Sequence, residues 1–250
     1  MKQETKDEIE AALLKCVYDT IERVKTNGGR KPFHQALLTR EILIASQFER
    51  SFSTSFGQGA IEDISRIVAE GNGFEATKQY ELHLDISKGA LDECERILSA
   101  LRAGHATPNW SNEVARICAI GKGDRETRRI ISDLHLRDRS GKESFVTIKT
   151  VTPNLDQTQE AKKLMLWLKA HNPSFQPFVG LYYNPTGESQ KEYTWGIPNK
   201  IFNMRQDPCV LIGKDYWNFL GGPGTYDALL SVFADAGQAT QIALKNAHLL

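Results

Sequence analysis

Asp133 and Lys149 are the residues whose types and spacing suggest chemistry. Asp133 lies in "IISDLHL", where apolar and polar residues alternate from Ile130 to Leu136. Lys149 ends "ESFVTIK", in which Phe145, Val146 and Ile148 are apolar and the Val, Thr and Ile side chains favour a pleated strand. The intervening "DRSGK" contains a turn glycine, so the two runs predict an antiparallel hairpin that brings Asp133 and Lys149 to one end of a sheet. A carboxylate there can hold a hard cation through oxygen. Such a cation polarises a phosphodiester and lowers the pKa of a bound water. A nearby ammonium group orients that water or offsets charge developing on the phosphate. The usual arrangement is Asp, a spacer, then an acid, any residue and Lys. Here the tripeptide is Thr147-Ile148-Lys149, with threonine where the acid would stand. On these residues alone two readings of Lys149 stay open: a solvated edge lysine, or an ammonium group placed at a phosphate.

The elements that would position these groups follow from periodicity. Residues 5 to 25 carry Ile9, Leu13, Val17, Ile21 and Val24 at helical spacing, stopped by Asn27-Gly28-Gly29. Residues 33 to 52 predict one second helix, residues 58 to 70 a short glycine-bounded one, and residues 87 to 103 another, so the chain reads as helical up to there. After the hairpin, "QTQEAKKLMLWLKAH" predicts a helix, "FQPFVGLYYN" a third strand and "DPCVLIG" a fourth. "KDYWNFLGGPG" and "YDALLSVFADAG" complete a helical end. Gly221, Gly222 and Gly224 read as a helix stop and start, since a phosphate loop would need a lysine and a preceding strand. The order predicts an α/β (α+β) fold with a central mixed sheet flanked by helices and a helical N-terminal region.

Composition sets the outer limits. The 250 residues are 40% hydrophobic and carry 31 basic against 31 acidic side chains. A net charge of zero argues against a generally basic nucleic-acid surface and leaves room for a local basic cleft. Cys16, Cys94, Cys118 and Cys209 form no CxxC pair and predict reduced thiols in a cytoplasmic protein. The acidic start "MKQETKDEIEAALL" does not suit a signal peptide, and no apolar run approaches the ~20 residues of a membrane helix.

Longer motifs sharpen the reading. The run "IKTVTPNLDQTQEAK", with its lysine, Thr-x-x-Pro-Asn turn and Gln-bearing helix, resembles the type II restriction endonucleases related to TdeIII and MjaII. "FERSFSTSFGQGAIEDISRIVA", "LYYNPTGESQKEYTWGIP" and "CVLIGKDYWNFLGGPGTYDALL" agree, so the resemblance runs from about residue 48 to 237. It implies a PD-(D/E)XK endonuclease fold, Mg2+ dependence, and cleavage of double-stranded DNA at a short palindrome to leave 5′-phosphate and 3′-hydroxyl ends. It also implies a homodimer, with a cognate DNA methyltransferase protecting host DNA. A single endonuclease domain over 1–250 is expected, with a helical part at 1–56 that could serve dimerisation, a catalytic core at 57–213 and C-terminal helices at 214–250. Two alternatives remain: a DNA-binding protein on the same fold that has lost catalysis, and a repair or junction-resolving nuclease.

Thr147 departs from the family pattern, so a second metal ligand must come from elsewhere. Glu62, on the glycine-bounded helix, is the first candidate; its other reading is a solvated first-turn glutamate favoured by the helix dipole. Glu160 is the alternative, and the Ile148 backbone carbonyl can serve a hard cation. Glu143 lies too far from the functional end of its strand, and Asp138 reads as a turn residue. Asn154, Gln157, Lys162, Lys163, Arg128, Arg129, Asn184, Gln190 and Lys191 are candidate DNA contacts. Each also has an ordinary reading as a turn, cap or solvated face, and Trp195 reads as core.

Overall fold

In this computed structural model, which describes residues 1–26, 29–120, 123–247 and 249, the strands β1 (Glu75–Ser87), β2 (Arg125–Arg137), β3 (Glu143–Lys149), β4 (Gln176–Leu181) and β5 (Val210–Ile212) form one sheet in that order. β1, β2 and β3 are antiparallel neighbours, whereas β3, β4 and β5 run parallel. The mixed sheet and its flanking helices agree with the expected fold class. The turn after β2 is held by Asp138, whose Oδ1 accepts from the N–H of Ser140 (2.8 Å) and of Lys142 (3.0 Å).

Helices cover both faces. On one lie α5 (Lys88–Ala103), α6 (Trp110–Ala119) and α7 (Leu155–His171), packed on Leu84, Ile86, Ile130, Phe145, Val179 and Leu181. On the other, α1 (Gln3–Thr26), α4 (Ile61–Gly71), α8 (Lys214–Gly221) and α9 (Thr225–Asn246) pack on Leu134, Leu136 and Val146. The first and last helices therefore share one core with the sheet, as Ile9 and Leu13 of α1 meet Leu229 and Val232 of α9. Gly222 (φ +84°) closes α8 and Gly224 (φ +80°) opens α9, as the glycine spacing predicts.

Three expectations are corrected. The single helix over 33 to 52 is two, α2 (Pro32–Leu37) and α3 (Arg40–Ser55), parted at Leu38 with its extended backbone. A π-turn over Phe56–Ala60 leads directly into α4. Above all, the stretch before residue 87 is not wholly helical, because β1 occupies Glu75–Ser87, and α6 was likewise not anticipated. The Asn27-Gly28 part of the predicted first stop lies outside the described residues.

The hidden strand has a physical explanation. Phe74 and Ala76 pack on the α4 side, whereas Tyr80, Leu82, Leu84 and Ile86 pack on the α7 side. These positions share one parity, and an uninterrupted strand would put them all on one face. β1 exchanges faces at Gln79, whose φ of +49° makes it the sole non-glycine with positive φ among the described residues. β2 does the same: Ile130 faces α7, while Leu134 and Leu136 face α4. The two exchanges meet. The β1–β2 register pairs Lys78 with Leu134 and Tyr80 with Ser132, which leaves Gln79 opposite Asp133 at a gap in the ladder.

Candidate active site

The gap in the ladder is where the sheet opens. Pairing of β2 with β3 runs from Arg137–Glu143 to Leu134–Val146 and ends there, so the strands part at Asp133. Side chains take over from the main chain at the fork. Asp133 Oδ2 accepts from the backbone N–H of Ile148 (2.6 Å) and from the hydroxyl of Thr147 (3.2 Å). The Ser132 hydroxyl lies against the carbonyls of Leu134 (3.0 Å) and Val146 (3.3 Å). The hairpin thus joins Asp133 to the Thr147-Ile148 peptide, and Thr147, in the position of the expected acid, acts as a hydrogen-bond donor to that carboxylate. Lys149 ends β3 two residues later, on the same side of the strand as Thr147. It is half-buried and has no ion-pair or hydrogen-bond partner among the described residues.

α4 brings the second carboxylate. Its Ile61, Ile64, Ile67 and Val68 are buried against the sheet, and Glu62 sits next to that stripe, half-buried. Burial pushes the Glu62 carboxyl above its ordinary value; the amide of Gln79 pulls it down, and the charge of Asp133 pushes it up again. Glu62 Oε2 accepts from Gln79 Nε2 at 2.9 Å. Beneath the pair, Tyr216 is fully buried. Its ring lies so close to Gly180, the β4 partner of Ile148, that a Cβ there would come within 2.7 Å of it. The Tyr216 hydroxyl is 2.7 Å from Ser65 Oγ, which donates to the Ile61 carbonyl at 2.7 Å, so Tyr216 donates to Ser65. Burial first, and then the charges of Asp133 and Glu62, push the Tyr216 phenol well above its ordinary value, while its bond to Ser65 pulls the other way. The phenol therefore stays protonated and ties α8 to α4 under the site.

The donor set suits a hard divalent cation. Among the described residues Asp133 Oδ1 and Glu62 Oε1 have no hydrogen bond and neither carboxylate is in an ion pair; Lys78, the nearest cation on β1, pairs with Asp63. Two uncommitted carboxylate oxygens that repel one another, beside a strand-end carbonyl, match an oxygen-preferring ion that keeps several waters. No group of three or more His, Cys, Asp or Glu side chains poised for a metal occurs among the described residues, so water would complete the shell.

The remaining candidates separate. Glu160 is exposed and pairs with Lys163 along α7, on the side of the sheet opposite α4. Lys162 is unavailable to DNA, which corrects the expectation: it is 0% exposed, paired with Glu113, and donates to the Ile201 carbonyl at 2.6 Å. Asn184 is buried, with its amide oxygen on the Thr186 N–H (2.9 Å) and its nitrogen on the Ser189 carbonyl (2.7 Å), which fixes the loop after β4. Gln190 is also occupied, donating to the Asp207 carbonyl at 2.9 Å. Asn154 and Gln157 form the capping box of α7, with reciprocal bonds of 2.8 and 3.0 Å. Arg128 pairs with Glu126 and lies over Trp167, and Arg129 pairs with Glu81 at 2.6 Å. Lys191 is exposed and without a partner among the described residues. Trp195 is not core: it is 39% exposed and reaches back to the Pro153 carbonyl, while the buried Tyr193 donates to the Val151 carbonyl at 2.8 Å. Both anchors hold the segment that follows Lys149. Sequence reasoning missed Gln79, Ser65 and Tyr216. For Gln79 the available signal was the break in strand parity.

Comparison with known proteins gives the family. The family described as "Type II restriction endonuclease, HinfI" matches residues 1–237. The type II restriction enzyme HgiBI of Herpetosiphon aurantiacus is 28% identical over 220 residues, covering 85% of this chain and 79% of that protein. HgiCII of the same organism is 26% identical over 221 residues, covering 86% and 80%. MjaII of Methanocaldococcus jannaschii is 26% identical over 242 residues, covering 84% of this chain and 63% of the relative.

Proposed function

This chain belongs to the HinfI family of type II restriction endonucleases, the site-specific deoxyribonucleases, and from that premise we propose that it cuts double-stranded DNA at a short palindrome by Mg2+-dependent hydrolysis, leaving 5′-phosphate and 3′-hydroxyl ends. The observation that carries the reading is the fork at Asp133: a carboxylate locked to the Ile148 N–H, a second carboxylate on α4 beside it, and, at the end of β3, a lysine with no partner among the described residues. We take this as the PD-(D/E)XK arrangement with the acid of β3 moved to α4.

Asp133, Glu62 and the Ile148 carbonyl would hold Mg2+. When bound, the ion supplies Lewis-acid polarisation of the phosphodiester and an acidified water. Lys149 orients the attacking water and offsets charge as it builds on the non-bridging oxygens. Thr147 fixes the Asp133 carboxylate through its hydroxyl. Water attacks phosphorus and releases a proton to solvent, the P–O3′ bond breaks, and the 3′-oxygen leaves with a proton drawn from solvent. Arg128, Arg129, Lys191 and the exposed faces of Asn154 and Gln157 are the proposed DNA contacts; Asn184 and Gln190 would act through the loop they hold.

Cutting both strands of a palindrome is most simply done by a C2 homodimer. Exposed Phe33, Leu37, Leu38 and Ile42 on the N-terminal helices, with Leu230 and Ile242 on α9, give that reading its surface. The whole chain then works as one endonuclease domain in the cytoplasm, where a cognate methyltransferase protects host DNA; no helix among the described residues is long and apolar enough to cross a membrane.

Incubation with a plasmid, with and without Mg2+, tests the reading. Discrete fragments with uniform end sequences support it. Binding without cutting supports the catalytically silent alternative, and nicking only at branched structures supports a junction-resolving nuclease.

A further inference from the structure

Gln79 carries three independent oddities. It has left-handed backbone (φ +49°), which costs a side-chain-bearing residue energy that glycine avoids. It sits at the point where β1 exchanges faces, directly across the interrupted ladder from Asp133. Its amide nitrogen donates to Glu62 Oε2 at 2.9 Å. An uninterrupted strand would give adjacent residues opposite faces. Here Lys78 and Gln79 both reach α4, Lys78 to Asp63 and Gln79 to Glu62.

We propose that Gln79 is a positioning residue of the site: its amide orients the Glu62 carboxylate toward Asp133, and the left-handed turn of β1 delivers that amide. The inference rests on Asp133 and Glu62 as the cation pair. A glutamate on the first turn of a helix has free rotamers and repels a neighbouring carboxylate, so without a tether it would swing toward solvent. The amide occupies Oε2 and leaves Oε1 toward the cation. Local strain of this kind persists where the surrounding structure enforces it, and such positions cluster at functional sites. With Thr147 in place of the acid, β3 provides no second carboxylate, and the burden of placing one falls on α4 and its tether.

Manganese binding to the DNA-free protein, followed by calorimetry, tests this without catalysis. Gln79→Gly keeps the backbone and deletes the amide. Manganese affinity is expected to fall about tenfold or more, in line with loss of a group that orients a ligand, while the melting temperature without metal holds or rises. Gln79→Asn tolerates the left-handed backbone but is too short to reach Glu62, and the same loss is expected; this covers any failure of the glycine variant to fold. Native-like manganese affinity in either folded variant overturns the proposal. Glu62→Gln separates the two layers. If it leaves manganese affinity unchanged, the cation-pair reading fails. If it weakens affinity and the Gln79 variants do not, only the tether fails.

Discussion

Lys149 and Lys162 lie on either side of the start of α7, and both were candidates to meet DNA. Lys162 is wholly enclosed, with Glu113 as ion-pair partner, the Ile201 carbonyl as acceptor at 2.6 Å, and the Phe202 ring 4.6 Å from its ammonium. Lys149 is half-buried and has no partner among the described residues. A charge taken out of water must be compensated. The fold compensates Lys162 completely and leaves Lys149 to be completed by something else. The same contrast separates the acids: Glu113 has its lysine, whereas neither Asp133 nor Glu62 is in an ion pair among the described residues. Completed charges build the fold, and incomplete ones mark where a ligand is expected.

The contrast breaks most visibly at Lys149. Lys149→Ala should lower the single-turnover cleavage rate by at least the ~10²–10³-fold typical of losing one transition-state donor. Affinity for DNA in calcium, measured by gel shift, should stay near the native value, because the interaction is made mainly in the transition state. Stability should move by less than about 0.5 kcal/mol, as no ion pair or hydrogen bond among the described residues is lost. Cleavage at the native rate would remove Lys149 from the site.

At Lys162 the prediction is reversed. Lys162→Met leaves Glu113 buried without its cation and should cost about 3–5 kcal/mol in denaturant unfolding. Replacing both partners, Lys162→Met with Glu113→Leu, should recover much of that loss and restore cutting along with the fold. If Lys162→Met were stable but inactive, the division between completed and incomplete charges would fail.

A buried histidine gives a smaller effect and a pH signature. His135 is 5% exposed and stacks on Tyr80 with ring centres 4.2 Å apart. Burial lowers its pKa from 6.5, against the raising pull of Glu143. The unfolded chain therefore binds a proton more readily than the folded one. The stability it contributes is fully present above pH 6.5 and is lost as pH falls through the depressed folded value. The melting temperature should drop on acidification across that window, and His135→Phe, which keeps the stack, should flatten the drop.

How much of this could be read from the sequence depended on local regularity. The hairpin carrying Asp133 and Lys149 was legible because its turn chemistry and alternation are ordinary. The place of Glu62 beside the buried stripe of α4 was legible because the isoleucines fix which positions face the sheet. β1 was not, since its parity reverses at Gln79 and a period-two reading averages over the reversal. Lys162 misled for a related reason: its covering residues, Trp110, Glu113, Ile201 and Phe202, come from distant segments, so a lysine on a helix looked solvated. Tyr216 was hidden because its importance comes from lying on Gly180, a contact between elements that no local pattern records.

The smallest effect probes the borderline between the two kinds of residue. Asn154 caps α7, with its Oδ1 accepting from the Gln157 N–H at 2.8 Å, yet it follows Lys149 closely and is exposed. Asn154→Ala should cost about 1 kcal/mol through the lost cap. That loss alone cannot distinguish a cap from a DNA contact, but Asn154→Asp can. Aspartate caps as well as asparagine and suits the positive end of the helix, so stability should be kept or slightly raised. Its negative charge would repel a phosphate lying at the same helix end. If Asn154 only caps, DNA affinity in calcium will match native protein at low salt. If it also meets the backbone, affinity will fall and the loss will shrink as salt screens the repulsion. The proposed contact predicts the second outcome, and an unchanged affinity would assign Asn154 to the fold alone.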